Sequence, residues 1–357
     1  MAGTSQAVFR NGYLHADLFR SCGERRSGWV VVTFTERCNR DLEGPGFGTE
    51  FLLREGFDVL AVRNGQDDWY ANLDLEELAA LRGALEPYTQ RATYGSSMGA
   101  FAAVKFAKPL GASRALAISP IVDVFHEWDT RNRVDIPLIQ RAGYRAAGDM
   151  FNRSDISTDT TYHIAFDPLC DEDARHAQML CEIAERHTLL RVRLGGHPVG
   201  PAMRDSGILG EYVKQAITTD SIDALAVKIE KNGRFMHSLA RYLFGRNKLR
   251  SATIANERAL SLSPEWGEVH LLHAQIAHRL GCIQKTRDYG LDAIRLEIEN
   301  PYVVAIVGRM LMDQQNFELA RELVETAIKR MGPQHVLVEL RSDLETDGHA
   351  SPPTELG

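Results

Sequence analysis

The chain has 357 residues, of which 44% are hydrophobic and 25% are charged, a composition typical of a globular protein. Domains commonly have roughly 100–200 residues, so this length predicts about two of them. The formal net charge of −7 argues against a protein that binds nucleic acid or an anionic membrane surface. No apolar run is long enough to cross a bilayer, and no secretory signal is visible at the N-terminus, so we expect a cytoplasmic protein. The five cysteines are scattered and lack C-x-x-C spacing, which predicts reduced thiols and no metal site.

Short apolar runs alternate with helical patterns through the first ~220 residues, which predicts a mostly parallel sheet with crossover helices. The predicted strands are 29–35, 57–62, 91–94, 114–118, 162–166 and 189–194, and the predicted helices are 47–54, 75–85, 98–106, 173–186 and about 204–216. Residues 121–160 interrupt this alternation between two core strands, which predicts a lid-like insert or, as the alternative, a peripheral helix pair. The insert carries Trp128 and the arginines Arg131, Arg133, Arg141 and Arg145. The positive charge of these arginines is compatible with an anionic substrate.

From residue 221 the pattern is helical and repeats every 34 residues. Three series share this spacing: Ala240, Ala274 and Gly308; Ala252, Thr286 and Ala320; and Ala259, Ala293 and Ala327. Small residues at fixed positions let the two helices of a pair cross closely, and Pro264 and Pro301 mark the ends of units. The pattern resembles the tetratricopeptide repeat (TPR), although Thr286 departs from the usual alanine.

The resemblance implies an all-α domain over residues 221–346, with three repeats at about 233–334 and a capping helix near 336–344. Such stacks bind partner proteins in a groove, and the alternatives are a structural extension or self-association into a homo-oligomer. The last residues, 347–357, are polar and predicted to be flexible.

The sequence Gly95-Ser96-Ser97-Met98-Gly99 matches the pattern G-x-S-x-G. A predicted strand precedes it and a helix of small residues follows it, which is the setting of a nucleophile elbow. A serine on such a sharp turn exposes its oxygen above the sheet, so Ser97 is the candidate nucleophile. The alternatives are a phosphate-binding turn, which lacks the GK[ST] ending here, and a purely structural turn.

A nucleophilic serine needs a histidine base that a carboxylate orients, in the chain order serine, acid, histidine. His197 lies in a glycine-containing loop just after the last predicted strand and is the candidate base. Asp167 directly follows the preceding strand and is the first candidate for the acid. Asp171 and Asp173 are the alternatives, although either could instead cap the next helix.

An oxyanion hole needs two backbone N–H donors. The first is expected from Met98, which follows the nucleophile. The second is expected from the loop after the first long strand, at Thr35 or Glu36. Nothing in this chemistry calls for a metal or an organic cofactor.

Residues of about 28–215, within a predicted domain at 1–220, resemble an α/β-hydrolase through the strand pattern and the elbow. The segment Asn64-Gly65-Gln66-Asp67-Asp68-Trp69-Tyr70 is also similar to bacterial hydrolases of undetermined substrate, some of them associated with cell-surface glycan modification. This resemblance implies that Trp69 and Tyr70 contact a sugar ring or an acyl chain. The alternative is that both pack beneath a loop.

The sequence therefore predicts a serine esterase or deacylase, similar to a carboxylesterase, that acts on acylated glycans or small esters. An acyltransferase would use the same three residues and is the alternative within enzymes. A TPR scaffold with a vestigial hydrolase domain is the alternative from another class of protein.

Overall fold

The computed structural model describes residues 5–22, 27–222, 231–297 and 300–347. Two compact units make up the chain, Met1–Glu230 and Lys231–Gly357. The part of the predicted flexible tail that follows Asp347 lies outside the described residues.

The first unit is built on a single sheet of eight strands in the order β1-β2-β4-β3-β5-β6-β7-β8. The strands are β1 Ser5–Arg10, β2 Leu14–Phe19, β3 Trp29–Phe34, β4 Asp58–Asn64, β5 Gln90–Ser96, β6 Arg114–Ile118, β7 Thr161–Phe166 and β8 His187–Arg191. β2 is antiparallel to both β1 and β4, and all later neighbours are parallel. This strand order is that of an α/β-hydrolase-type sheet, which confirms the predicted fold class.

Helices cover both faces of this sheet. They are α1 Thr49–Arg54, α2 Leu75–Leu85, α3 Met98–Lys105, α4 Ala107–Leu110, α5 Ile136–Arg141, α6 Asp171–Ile183, α7 Gly200–Asp205 and α8 Leu209–Thr218. Alternate residues of β3 divide between the two layers: Val30 and Val32 pack with α2, α3 and α6, whereas Val31 packs with α1, α7 and α8. Both faces of the central strands are largely buried, and β3, with the sequence WVVVTF, is almost continuously apolar, as is typical of a parallel sheet.

Within its described residues, the second unit contains helices and no strand. They are α9 Gly233–Gly245, α10 Leu249–Leu262, α11 Gly267–Arg279, α12 Ile283–Leu296, α13 Pro301–Asp313, α14 Phe317–Met331 and α15 His335–Asp347. All nine residues of the three 34-residue series are buried. At Gly308 an added Cβ would crowd Leu340 of α15, so glycine allows the last helix to pack against α13. None of the helices in the described ranges of either unit combines the length and the hydropathy that crossing a bilayer requires.

Candidate active site

Ser97 stands on a strained turn between β5 and α3, with φ 53° and ψ −113°. This backbone conformation is rare for a residue with a side chain and commonly marks a functional position. Both glycines of the motif are required by close packing. A Cβ on Gly95 would collide with the backbone of Gly99, and a Cβ on Gly99 would collide with the carbonyl oxygen of Phe34 in β3.

His197 lies in the loop that follows β8 and contacts the serine. Its Nε2 is 3.0 Å from Ser97 Oγ, and its Nδ1 is 2.9 Å from the carboxylate of Asp173. A carboxylate can only accept a hydrogen bond, so this network assigns the proton to Nδ1 and leaves Nε2 free to accept from the serine. The serine is 9% exposed, and the histidine side chain is 15% exposed.

Asp173, in the first turn of α6, is the acid that the structure brings to His197. Its side chain is fully buried, and it also accepts from Arg131 Nη1 at 2.7 Å. Burial alone raises the pKa of this carboxyl, but His197 and Arg131 outweigh burial and hold its pKa well below the usual range. The carboxylate therefore stays ionised at neutral pH.

Asp167, the first candidate for the acid, instead accepts hydrogen bonds from backbone N–H groups, two of which belong to the loop that carries His197. Its carboxylate accepts from the N–H groups of Leu169, Leu194 and Gly196 at 2.9–3.1 Å. The preference for Asp167 over Asp173 is thus wrong in geometry: Asp167, which directly follows β7, holds the loop, and Asp173, in the first turn of α6, reaches the imidazole. Asp171, the other alternative, is the exposed first residue of α6.

Of the predicted oxyanion donors, Met98 lies at a helix N-terminus, whereas the N–H of Thr35 already has a hydrogen-bond partner. Met98 is the first residue of α3, at the end of the helix whose free N–H groups favour negative charge. The N–H of Thr35 donates to Val62 O at 3.3 Å and continues the β3–β4 ladder, so Thr35 is not a free donor and that prediction is corrected. Glu36, the next residue, is half-buried, and burial raises the pKa of its carboxyl against the opposing charges of Arg204 and His197.

Trp69 and Tyr70 are core residues, which overturns their prediction as substrate contacts. Their exposed fractions are 0% and 2%. Trp69 Nε1 donates to Asp135 at 2.9 Å, and the Tyr70 hydroxyl lies 2.9 Å from Thr35 Oγ1. Both aromatic rings therefore pack beneath the site and support its loops, which is the alternative the sequence had left open.

The insert between β6 and β7 reaches both sides of the site. On one side Arg131 contacts Asp173, as described above. On the other, Asp135 binds Arg37 through two hydrogen bonds of 2.8 and 3.0 Å, next to Glu36. Sequence reasoning treated Arg131 only as one of several insert arginines. No local signal marks it, because its partner lies 42 residues away.

Comparisons with known proteins give only distant likenesses. No protein-family model matches the chain, and no curated protein does. A sugar hydrolase from Lactococcus lactis is 12% identical, and the match covers 59% of this chain and 98% of that one with a TM-score of 0.41. An acetyl xylan esterase from Paenibacillus is 15% identical over 60% of this chain and 89% of that one, with a TM-score of 0.39.

The helical half also has a solved neighbour. The TPR domain of Arabidopsis OM64 is 14% identical, and the match covers 32% of this chain and 96% of that one with a TM-score of 0.30. At such identities and TM-scores these likenesses assign no activity, so any assignment must come from the geometry of the site.

Proposed function

We propose that this chain is a serine hydrolase that acts on ester bonds, in the manner of a carboxylesterase or deacylase. The observation that carries the proposal is the hydrogen-bonded series from Ser97 Oγ through His197 to Asp173, at 3.0 and 2.9 Å. A serine hydroxyl is a weak nucleophile by itself. A histidine base held by a buried carboxylate is the arrangement that activates it.

In the first half of the reaction, Ser97 Oγ attacks the ester carbonyl carbon while His197 Nε2 takes the hydroxyl proton. The carbonyl oxygen becomes an oxyanion, which the N–H of Met98 stabilises, with the N–H of Glu36 as the proposed second donor. When the tetrahedral intermediate collapses, the bond to the alcohol oxygen breaks. His197 returns its proton to the departing alcohol, and the acyl group stays on Ser97.

In the second half, a water molecule attacks the acyl-enzyme while His197 takes one of its protons. The new tetrahedral intermediate breaks its bond to Ser97 Oγ, which recovers the proton from His197. The products are a carboxylic acid and the regenerated serine. Asp173 keeps its negative charge throughout and stabilises the imidazolium that forms twice in each cycle.

A fluorophosphonate probe tests this proposal on the full chain. We expect the wild type to be labelled at Ser97, Ser97→Ala to be unlabelled, and His197→Gln to be labelled orders of magnitude more slowly. Ser96→Ala is the matched control, since it removes the neighbouring buried hydroxyl and should leave labelling intact. A folded wild type that resists labelling between pH 6 and 9 would refute the proposal.

Acylated glycans and small esters are the proposed substrates, and the same three residues would also support acyl transfer to a sugar hydroxyl. Isotope-labelled water separates the two reactions. With p-nitrophenyl acetate in H₂¹⁸O, hydrolysis yields acetic acid that carries one ¹⁸O atom. Transfer to an added sugar yields a new ester with no ¹⁸O, and its dominance would replace the hydrolase by the acyltransferase.

The intact site argues against a vestigial hydrolase unit beside a TPR scaffold. A unit without activity gains nothing from a serine at φ 53°, a conformation that costs of order 1–3 kcal/mol. Protein binding by the helical repeats and self-association both stay predictions. Pull-down of a defined partner and sedimentation analysis would test them in turn.

A further inference from the structure

The Asp173 carboxylate has a second buried partner that the proposed reaction leaves unused. Arg131 Nη1, from the insert, donates to Asp173 Oδ1 at 2.7 Å, while His197 Nδ1 lies 2.9 Å from both carboxylate oxygens. The Asp173 side chain is fully buried, and that of Arg131 is 20% exposed. A buried carboxylate with imidazole as its one partner would keep unsatisfied lone pairs, which is costly.

Arg131 is itself held in a fixed orientation. Its Nε and Nη2 form a bidentate salt bridge with the carboxylate of Asp129, at 2.9 and 2.6 Å. Nη1 is therefore left to donate to Asp173. On the far side of Asp129, His176 Nε2 lies 3.0 Å from the same carboxylate. Only the planar guanidinium can make this fork and reach a second carboxylate at once, since a lysine ammonium is a point charge.

We propose that Arg131 is a positioning residue, which holds the Asp173 carboxylate where it orients His197 toward Ser97. The inference rests on the proposed serine hydrolase and deepens it, because it makes the alignment of the site depend on a residue of the insert. An aspartate carboxyl has a broad rotational preference, so packing and partners must fix it. Without Arg131 the carboxylate can rotate, and a misplacement of about 1 Å at the base costs on the order of 100-fold in rate.

The test compares Arg131→Met with Arg133→Met in the full chain. Arg133 lies in the same insert, is exposed, and donates to the carbonyl of Glu127. With the fluorophosphonate probe, we expect R131M to react about 100-fold more slowly. With p-nitrophenyl acetate, kcat should fall and KM should change little. R133M should match the wild type in every respect.

Arg131→Lys covers the case in which the methionine variant fails to fold. It keeps a positive charge but loses the fork, so its labelling rate should lie between those of R131M and the wild type. A folded R131M that reacts within about twofold of the wild type overturns the proposal. If R131M does not fold, an R131K that reacts as fast as the wild type overturns it.

A readout without activity separates failure of this inference from failure of the proposed function. The Nδ1–H proton of His197 should give a downfield ¹H resonance, which is identified by its loss in His197→Gln. If the wild type does not react with the probe, the hydrolase proposal falls. The positioning role then stands if this resonance shifts or vanishes in R131M but not in R133M, and falls if it is unchanged in both.

Discussion

At the scale of single residues, two neighbouring aspartates have different tasks that one substitution each can separate. Asp173→Asn leaves the shape of the site but favours the wrong tautomer of His197, so we expect the probe-labelling rate to fall by about 10⁴-fold. Asp167→Asn offers one acceptor oxygen to three backbone N–H groups. Its main effect should be a loss of about 1–3 kcal/mol in the free energy of unfolding.

Labelling rates together with thermal unfolding of the two variants check this division of tasks. A slow, stable D173N and a faster, less stable D167N would agree with the geometry. The reverse pattern would restore Asp167 as the orienting acid.

The identity of the acid shows where sequence reasoning ends at this scale. Ser97 and His197, whose side chains meet at 3.0 Å, each have a local signal: a glycine-flanked turn after a strand, and a glycine loop after the last strand. The choice among three aspartates has no local signal. It depends on which carboxylate meets an imidazole 24 residues away, and on an arginine whose partner is 42 residues away.

At the scale of elements, the strand–turn–helix around Ser97 depends on two glycines. An alanine methyl at position 99 would enter the space of the Phe34 carbonyl, so Gly99→Ala should cost 2 kcal/mol or more and displace the turn. Gly83→Ala is the matched control, since Gly83 lies in α2 with open space around its Cα. There alanine should stabilise the chain by about 0.5–1 kcal/mol through helix propensity.

Denaturant unfolding of the two glycine variants gives both free energies, and the labelling rate reports the turn itself. If Gly99→Ala is as stable and as reactive as the wild type, the close approach of α3 to β3 is not required.

Elements with a strong apolar pattern could be predicted, and those defined by their partners could not. The six strands from β3 to β8 overlap the predicted ones, and β6 coincides with its prediction at 114–118. β1 is largely exposed, and it is extended because it pairs with β2 at the sheet edge. The predicted helix at 204–216 is divided into α7 and α8, where Gly207 adopts φ 72°.

At the scale of the whole molecule, the two units follow different rules that are visible in the sequence. The first alternates strand and helix, and the second repeats every 34 residues with buried small residues at each helix crossing. A period can be counted without knowing any contact, so the sequence could predict that this half is built from helices. The contacts of the insert depend on residues that are distant in the sequence, so its contacts with the site could not be predicted.

Each unit also buries a histidine that must stay neutral, which makes the folded chain sensitive to acid. Burial lowers the pKa of His163 in β7 to about 4 and that of His237 in α9 to about 3, from an ordinary value of 6.5. As the pH falls below 6.5, both histidines bind protons in the unfolded chain but stay neutral in the folded chain. Stability therefore falls from pH 6.5 down to each folded pKa, by on the order of 2 kcal/mol per histidine at pH 4.5.

Thermal unfolding of the full chain between pH 7 and pH 4.5 measures this loss. His163→Gln and His237→Gln should each flatten the pH dependence of unfolding, because each removes one group that the unfolded state protonates first. His335→Gln, at the exposed start of α15, is the matched control and should leave the slope as in the wild type. Carboxylates such as Asp173 also lose stabilising charge in acid, but at lower pH, since their folded pKa values are depressed. If both buried-histidine variants keep the full wild-type slope, the neutral histidines are not the source of the acid sensitivity.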